Sequence, residues 1–298
     1  PEAMNALNET VVNQLGDAID IANSDDSVRT IVLDGAGKAF VAGADVKFFV
    51  DKIRADSFPD IYDFTADGHV VLNKLESSSK TTIALTTGLS LGGGLELALA
   101  CDYRIGTRKT QFRFPETSIG IFPGLGGTQR PARIAGLPAP RWAVLAGNFM
   151  DARTASDLGL VTNLVDVTEV DATIASLDGQ GKPANKYPAK PNNPESKIAK
   201  FAMSFYSDEN LATILNGNCP KGFDPEDKLV SRQLRSLSRT APIALRMASD
   251  LIDAAGSTEL EVGLSQELGN LEGIFSTNDA LEGLSALIEG RKPTYQNS

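Results

Sequence analysis

The sequence predicts an α/β fold with a helical C-terminal region, and three observations predict it. Short β-branched apolar runs alternate with helix-period segments over roughly the first 165 residues. Glycine clusters stand where strands would hand over to helices. From about residue 195 onward, helical spacing continues without any strand-like run.

Taken in order, Asn5 to Ile21 reads as a helix, with Leu7, Val11, Leu15, Ala18 and Ile19 at helical spacing. Thr30 to Leu33 reads as a buried strand bounded by Asp34 and Gly35. Gly35 to Ala44 reads as a small-residue loop. Asp45 is then the N-cap of a helix reaching Arg54. A longer helix is expected over Ile61 to Leu75, and a second strand over Thr82 to Thr86. A helix over Leu91 to Leu99 opens on a triple glycine, and Tyr103 to Thr107 and Gln111 to Phe114 complete the strands.

Composition shifts near Asp171. Leu177 to Asn193 carries Gly179, Gly181, Pro183, Pro188 and Pro191 among lysines and asparagines, and reads as an exposed loop. Helices are expected over 195–206, 208–215, 225–237, 242–255, 259–275 and 277–289, the last capped from within Ser276 to Asp279. The expected organisation is an α/β core over 1–170, an inserted segment over 171–222 and a helical region over 223–298.

The composition narrows the function classes. The chain has 298 residues, 42% of them hydrophobic and 22% charged, as in ordinary soluble globular proteins. No apolar run reaches the roughly 18 residues of a membrane span. Net charge is −10, so there is no overall basic footprint for nucleic acid. A polyanionic ligand would need local cations or helix N-termini. Two cysteines, Cys101 and Cys219, argue against a disulfide framework and fit a reducing, cytoplasmic setting. His69 is the single histidine, so a multi-histidine metal site is excluded. With no partner motif nearby, a structural or surface role suits it best.

Three constellations could carry chemistry. Phe40 to Val46 is a small-residue turn where backbone N–H groups can approach a ligand, although a tight loop needs such residues anyway. Gly92-Gly93-Gly94 opens a helix, whose free N–H groups and dipole favour developing negative charge. A phosphate cradle would want a Lys-Ser/Thr pair that is missing, and close helix–strand packing is the plainer reading of the glycines. Glu96 is harder to set aside, because a carboxylate among Leu91, Leu95, Leu97 and Leu99 is costly unless it is used or paired. Glu116 borders the glycine-rich stretch Gly120 to Thr128 and, read alone, is more simply an N-cap or a surface residue. Two carboxylates with two backbone-amide sites suit a reaction through an enolate-like transition state, with donors on a thioester oxygen and groups that move protons at the adjoining carbons.

These pieces together resemble the crotonase, or enoyl-CoA hydratase/isomerase, superfamily. The matching segments are Pro1 to Leu7, Phe40 to Val46, Gly92 to Asp102, Phe114 to Gly120, Pro123 to Arg130, and Leu145 to Gly147 followed by Ala155 and Gly159 to Val161. The match runs over about 1–167 and resumes from about Leu237 to Arg291-Lys292-Pro293. The resemblance implies a crotonase-type spiral of ββα units with a helical C-terminal region that builds trimers, often paired into hexamers. It implies enoyl-CoA hydratase activity, with Glu116 exchanging the proton at Cα and Glu96 activating the water that attacks Cβ. The N–H groups of Ala44 and Gly93 would form the oxyanion hole, and Gly124 would hold the water. Ala42, Gly43, Ala44, Asp45 and Val46 would line the acyl-CoA path with Gly93. Coenzyme A would enter as part of the substrate, with no separate cofactor and no metal.

Two departures qualify the resemblance. The strand the family carries before the Pro1 motif is missing, which suggests an N-terminal truncation or the hydratase part of a fusion behind a 3-hydroxyacyl-CoA dehydrogenase. The segment 171–222 is extra, and Phe205 to Leu215 looks somewhat like the 3-hydroxyisobutyryl-CoA hydrolase branch. That branch usually lacks a glutamate at position 96 and has aspartate where Gly124 stands. Isomerases usually keep only the Glu116 position. A binding or scaffold relative that has lost activity is the reading of another class.

Overall fold

In a computed structural model, which describes residues 4–298, eight strands divide between two four-stranded sheets. The strands are β1 (Thr30–Asp34), β2 (Ala39–Ala42), β3 (Thr81–Thr86), β4 (Leu89–Leu91), β5 (Tyr103–Gly106), β6 (Gln111–Arg113), β7 (Met150–Asp151) and β8 (Asn163–Leu164). One sheet has the order β1-β3-β5-β8 and is parallel throughout. The other has the order β2-β4-β6-β7, parallel except for β7 against β6. Each of the first three successive pairs sends its first strand to the all-parallel sheet and its second to the other, and the last pair, β7 and β8, reverses that order. The chain then returns through helical structure, and that repetition makes the expected spiral of ββα units.

Four of these strands, β2, β4, β7 and β8, lie where no strand was expected. Ala39–Ala42 was read as loop, yet Ala39, Phe40 and Val41 are buried there. A register shift between Ala39 and Val41 marks the strand as irregular, and four residues beside Gly35 and Gly37 are too few to display alternation. Leu89–Leu91 was assigned partly to the following helix, which begins only at Gly93.

Helix α1 spans Glu9–Ser24, not Asn5 to Ile21. Asn8 caps it by accepting from the N–H of Val11 at 2.9 Å, which places the first helical residue four positions after Asn5. Asn5 lies outside the helix, at φ +61°, and has another task. Its Nδ2 donates to the carbonyls of Ala36, Ala39 and Phe40 at 3.0, 2.9 and 3.0 Å, pinning β2 and the turn before it. Residues 1–3, the start of the first family-like segment, lie outside the described residues.

Helix α2 covers Val46–Arg54, with the expected Asp45 cap accepting from Lys47 N–H at 3.0 Å. Helix α3 covers Phe58–Ser77, longer than expected because Pro59 suits its first turn. Helix α4, Gly93–Ala100, is buried on every side, which its uniformly apolar sequence requires. Helix α5 is short, Arg130–Ala135. Most of the core forms one cluster, running from Leu7 and Phe40 through Leu95, Leu99 and Phe112 to Leu284. A second cluster of Ile83, Ile105, Val170 and Leu177 forms where the helix Val170–Leu177 covers the parallel sheet.

The C-terminal helices are Lys197–Phe205, Asp208–Leu215, Lys228–Leu237, Pro242–Ala254, Leu260–Gly269, Leu271–Phe275 and Asn278–Glu289. The single helix expected over 259–275 breaks at Asn270. Thr277 caps the last helix, accepting from Ala280 N–H at 3.1 Å. Between Asp178 and Ser196 the chain has no helix or strand, but it is not the free loop its composition suggested. Lys186 bonds Glu76 at 3.0 Å and the Ala100 carbonyl at 2.6 Å, Tyr187 bonds Glu76, and Lys182 reaches Asp102 at 3.0 Å. Proline and glycine shape this strap, and its few long side chains hold it to the core. No helix among the described residues is long and apolar enough to cross a membrane.

Candidate active site

The site grows from the start of α4. Gly92 stands at φ +46°, ψ −122°, a conformation that side-chain-bearing residues avoid, and its N–H donates to Arg113 O at 3.0 Å. A Cβ on Gly94 would overlap the carbonyl of Val41, so the helix begins directly against β2. Gly93, between them, opens the helix, where N–H groups have no intrahelical acceptor.

Leu7 fixes the second amide. It pairs with Ala44 in an isolated parallel bridge: Leu7 N–H donates to Gly43 O at 2.8 Å, and Asp45 N–H to Leu7 O at 2.9 Å. In such a ladder the intervening residue directs its own N–H to the other side. The Ala44 N–H therefore points away from Leu7, and no acceptor among the described residues takes it. Gly43, at φ +82°, allows the turn, and its missing Cβ would lie 3.8 Å from Leu91 O. Ala42 ends β2 opposite Leu91, and Val46 starts α2.

Glu96 sits one turn into α4 and is 2% exposed. Its Oε1 accepts from Leu125 N–H at 2.7 Å and Gly127 N–H at 2.6 Å. Oε2 takes no hydrogen bond among the described residues and lies 3.9 Å from where a Gly93 Cβ would stand. Burial pushes the carboxyl up to about 7, with the two amides and Arg130 holding it from going higher.

Glu116 opens a short 3-10 turn, Glu116–Ile119, directly after β6 and Pro115. It is 7% exposed, and its Oε2 is buried without a hydrogen-bond partner. Burial and then the Glu96 charge raise its pKa well above the carboxylate range. Burial beside a second carboxyl favours its protonated form. Of the two carboxyls singled out in the sequence, one is held as an acceptor by backbone amides and the other keeps a buried oxygen without a partner.

Gly124 opens the loop that holds Glu96. Its carbonyl bonds His69 Nε2 at 2.8 Å, and no acceptor among the described residues takes its N–H. His69 is 6% exposed, and burial followed by the Arg130 charge lowers its pKa to about 4, so it is neutral. Its role is structural, as expected, although at the site's edge. Arg130, fully buried, bonds Glu76 at 2.8 Å and the Leu125 carbonyl at 2.9 Å.

The structure also adds a residue that sequence reasoning missed. Glu267, fully buried, accepts from the N–H groups of Gly126 and Thr128 and from the Thr128 hydroxyl. Burial and then Glu96 raise it to about 8. A signal was present: Glu267 lies three residues after Leu264 and four before Leu271, on the apolar stripe of its helices.

An α/β spiral that buries two carboxyls beside two unengaged amides defines an acyl-transfer or enolate-type site rather than a nucleotide-binding fold. The chain belongs to the enoyl-CoA hydratase/isomerase family, whose family model matches residues 1–298. It is 39% identical to a probable enoyl-CoA hydratase of Rhizobium meliloti, over 100% of this chain and 91% of that one. It is 36% identical to a crotonyl-CoA hydratase of Syntrophomonas wolfei, over 60% of this chain and 68% of that one. Its fold is that of an enoyl-CoA hydratase from Rhodobacter sphaeroides, with TM-score 0.83 at 24% identity over 99% of this chain and 87% of that one.

Proposed function

We propose that this chain is an enoyl-CoA hydratase, which adds water reversibly to a 2-enoyl-CoA thioester to give a 3-hydroxyacyl-CoA. The observation that carries the reading is the pair of buried carboxyls, Glu96 and Glu116, on either side of the Gly92-Gly93 helix start. The N–H groups of Ala44 and Gly93 receive the thioester oxygen and stabilise the negative charge that forms on it. Glu96 takes a proton from the water that attacks Cβ, and the Gly124 N–H positions that water. Glu116 delivers a proton to Cα. Water is thereby split across the double bond, and the site returns to its starting state when a proton passes from Glu96 back to Glu116.

Ala42 to Val46 line the path of the substrate, of which coenzyme A is a part. The half-buried Cys219 and buried Cys101, both unpaired, suit a cytoplasmic setting. A trimer or hexamer would cover Val262, Leu287 and Ile288, which lie exposed on the C-terminal helices.

The test is the loss of enoyl absorbance when the protein meets crotonyl-CoA. Glu96→Gln lowers hydration about 10²–10⁴-fold and leaves proton exchange at Cα. Glu116→Gln loses both. Near-normal hydration in both variants would overturn the two-glutamate assignment. Surviving hydration in neither variant, with Cα exchange retained only in Glu96→Gln, separates a hydratase from a thioester hydrolase, which would instead release free thiol.

A further inference from the structure

Four consecutive amides, from Leu125 to Thr128, alternate between two buried carboxylates. Leu125 and Gly127 donate to Glu96, and Gly126 and Thr128 donate to Glu267. Gly126 and Gly127 have no side chains with which to anchor this loop by packing. Leu125 packs into the core, and the loop backbone itself is held by polar clamps: His69 on the Gly124 carbonyl, Arg130 on the Leu125 carbonyl, and the two glutamates. Glu267 is the one carboxyl among these clamps with no place in the chemistry described above. Burying a carboxylate costs several kcal/mol unless fixed donors compensate it, and here the donors are the loop's own amides and the Thr128 hydroxyl.

We propose that Glu267 is a positioning residue of this site: by taking the two amides that Glu96 does not, it holds the loop whose other two amides orient Glu96. This rests on Glu96 being the base that activates water. The charged and titratable groups around Glu267 are Glu96 on α4, Glu116 after β6, His69 on α3 and Arg130 on α5. His69 Nε2, 4.0 Å from Glu267, is already committed to Gly124 O. The Arg130 nitrogens serve Glu76, Asn73 and Leu125 O, so Arg130 makes no direct bond to Glu267, and His69 is neutral.

Glu267→Gln keeps the shape but offers one acceptor where the carboxylate offers two, so an amide nitrogen meets a donor. We expect kcat on crotonyl-CoA to fall about tenfold to 100-fold with little change in KM. The acid limb of kcat/KM, set by Glu96, moves to higher pH because the loosened Leu125 and Gly127 amides hold the Glu96 carboxylate less firmly. A residue that only supported the fold would leave that limb in place. Thr128→Val, which removes one bond to Glu267, gives a smaller fall in kcat, and Thr128→Ser restores it. Amide hydrogen exchange at Leu125 and Gly127 speeds up in Glu267→Gln. Parent-like kcat, acid limb and exchange in a folded Glu267→Gln overturn the assignment. If that variant does not fold, a Thr128→Val with parent kcat overturns it instead. If the parent protein does not hydrate crotonyl-CoA, the hydratase reading fails, and exchange at the two amides still decides whether Glu267 holds the loop.

Discussion

Gly92 and Glu116 share one small volume: a Cβ on Gly92 would overlap Oε1 of Glu116. The helix start proposed to offer its amides to the substrate is therefore also the floor on which the Glu116 carboxyl rests. Gly92→Ala must displace the Glu116 carboxyl and also force an alanine to φ +46°, ψ −122°. We expect hydration to drop at least about 100-fold and stability to fall by about 1–3 kcal/mol. Crotonyl-CoA turnover and denaturant unfolding of the same sample check both, and an active Gly92→Ala would mean Glu116 sits elsewhere during catalysis.

Stability and activity respond oppositely to pH. Glu96 and Glu267 have folded-state values of about 7 and about 8, raised chiefly by burial from the ordinary 4.5. The folded chain therefore holds more protons than the unfolded chain between those limits, and stability falls as pH rises through them. His69 works the other way, lowered from 6.5 to about 4, but its gain is complete by about pH 6.5. From pH 6.5 to 8 the carboxyls dominate, and we expect a loss of about 2 kcal/mol. Over the same interval kcat/KM rises as Glu96 ionises. Urea midpoints against pH measure the first trend; a midpoint that climbs from 6.5 to 8 would contradict it.

Asn5 holds three carbonyls with an amide that has only two hydrogens, so one is shared. Asn5→Ala frees those carbonyls and costs about 1–3 kcal/mol. Asn5→Asp, though similar in shape, sets a carboxylate against three oxygens and costs more. Both raise KM for crotonyl-CoA, because β2 leads into Gly43 and Ala44. Equal stability of the aspartate variant and the parent would refute this account.

Lys186 shows what a buried ion pair is worth beside an exposed one. Its side chain is 11% exposed and faces Glu76, itself 18% exposed. Lys186→Met leaves Glu76 short of a cation and is expected to lose about 2–3 kcal/mol. Lys200→Ala breaks the exposed pair with Glu195 and should change stability by less than about 0.5 kcal/mol. Thermal melts of the two variants side by side decide the matter.

How much was legible in the sequence depended on how local the cause was. Asp45 and Thr277 announce their caps within three residues, and the helices they start lie where expected. Glu96 was conspicuous because apolar neighbours surround it in sequence as well as in space. Strand β2 was hidden because its burial comes from partners far along the chain, and its own four residues carry no clear period. Asn5 and Glu267 act across 31 or more residues, so no spacing rule could assign their carbonyls and amides. The strap over 178–196 misled for a related reason, since proline and glycine describe its backbone while Lys182, Lys186 and Tyr187 decide its place.

That strap has a consequence for anyone wishing to shorten the protein. Arg130 reads the Leu125 carbonyl with one nitrogen and Glu76 with another, and Glu76 is balanced by Lys186 and Tyr187 of the strap. Excising 178–196 would strand Glu76 and Asp102 inside the core, and the disturbance would run through Arg130 to the carbonyl beside Glu96. The segment looks like removable packaging but is wired in as a counter-charge, so a minimal version must neutralise Glu76 and Asp102 in the same step that deletes it.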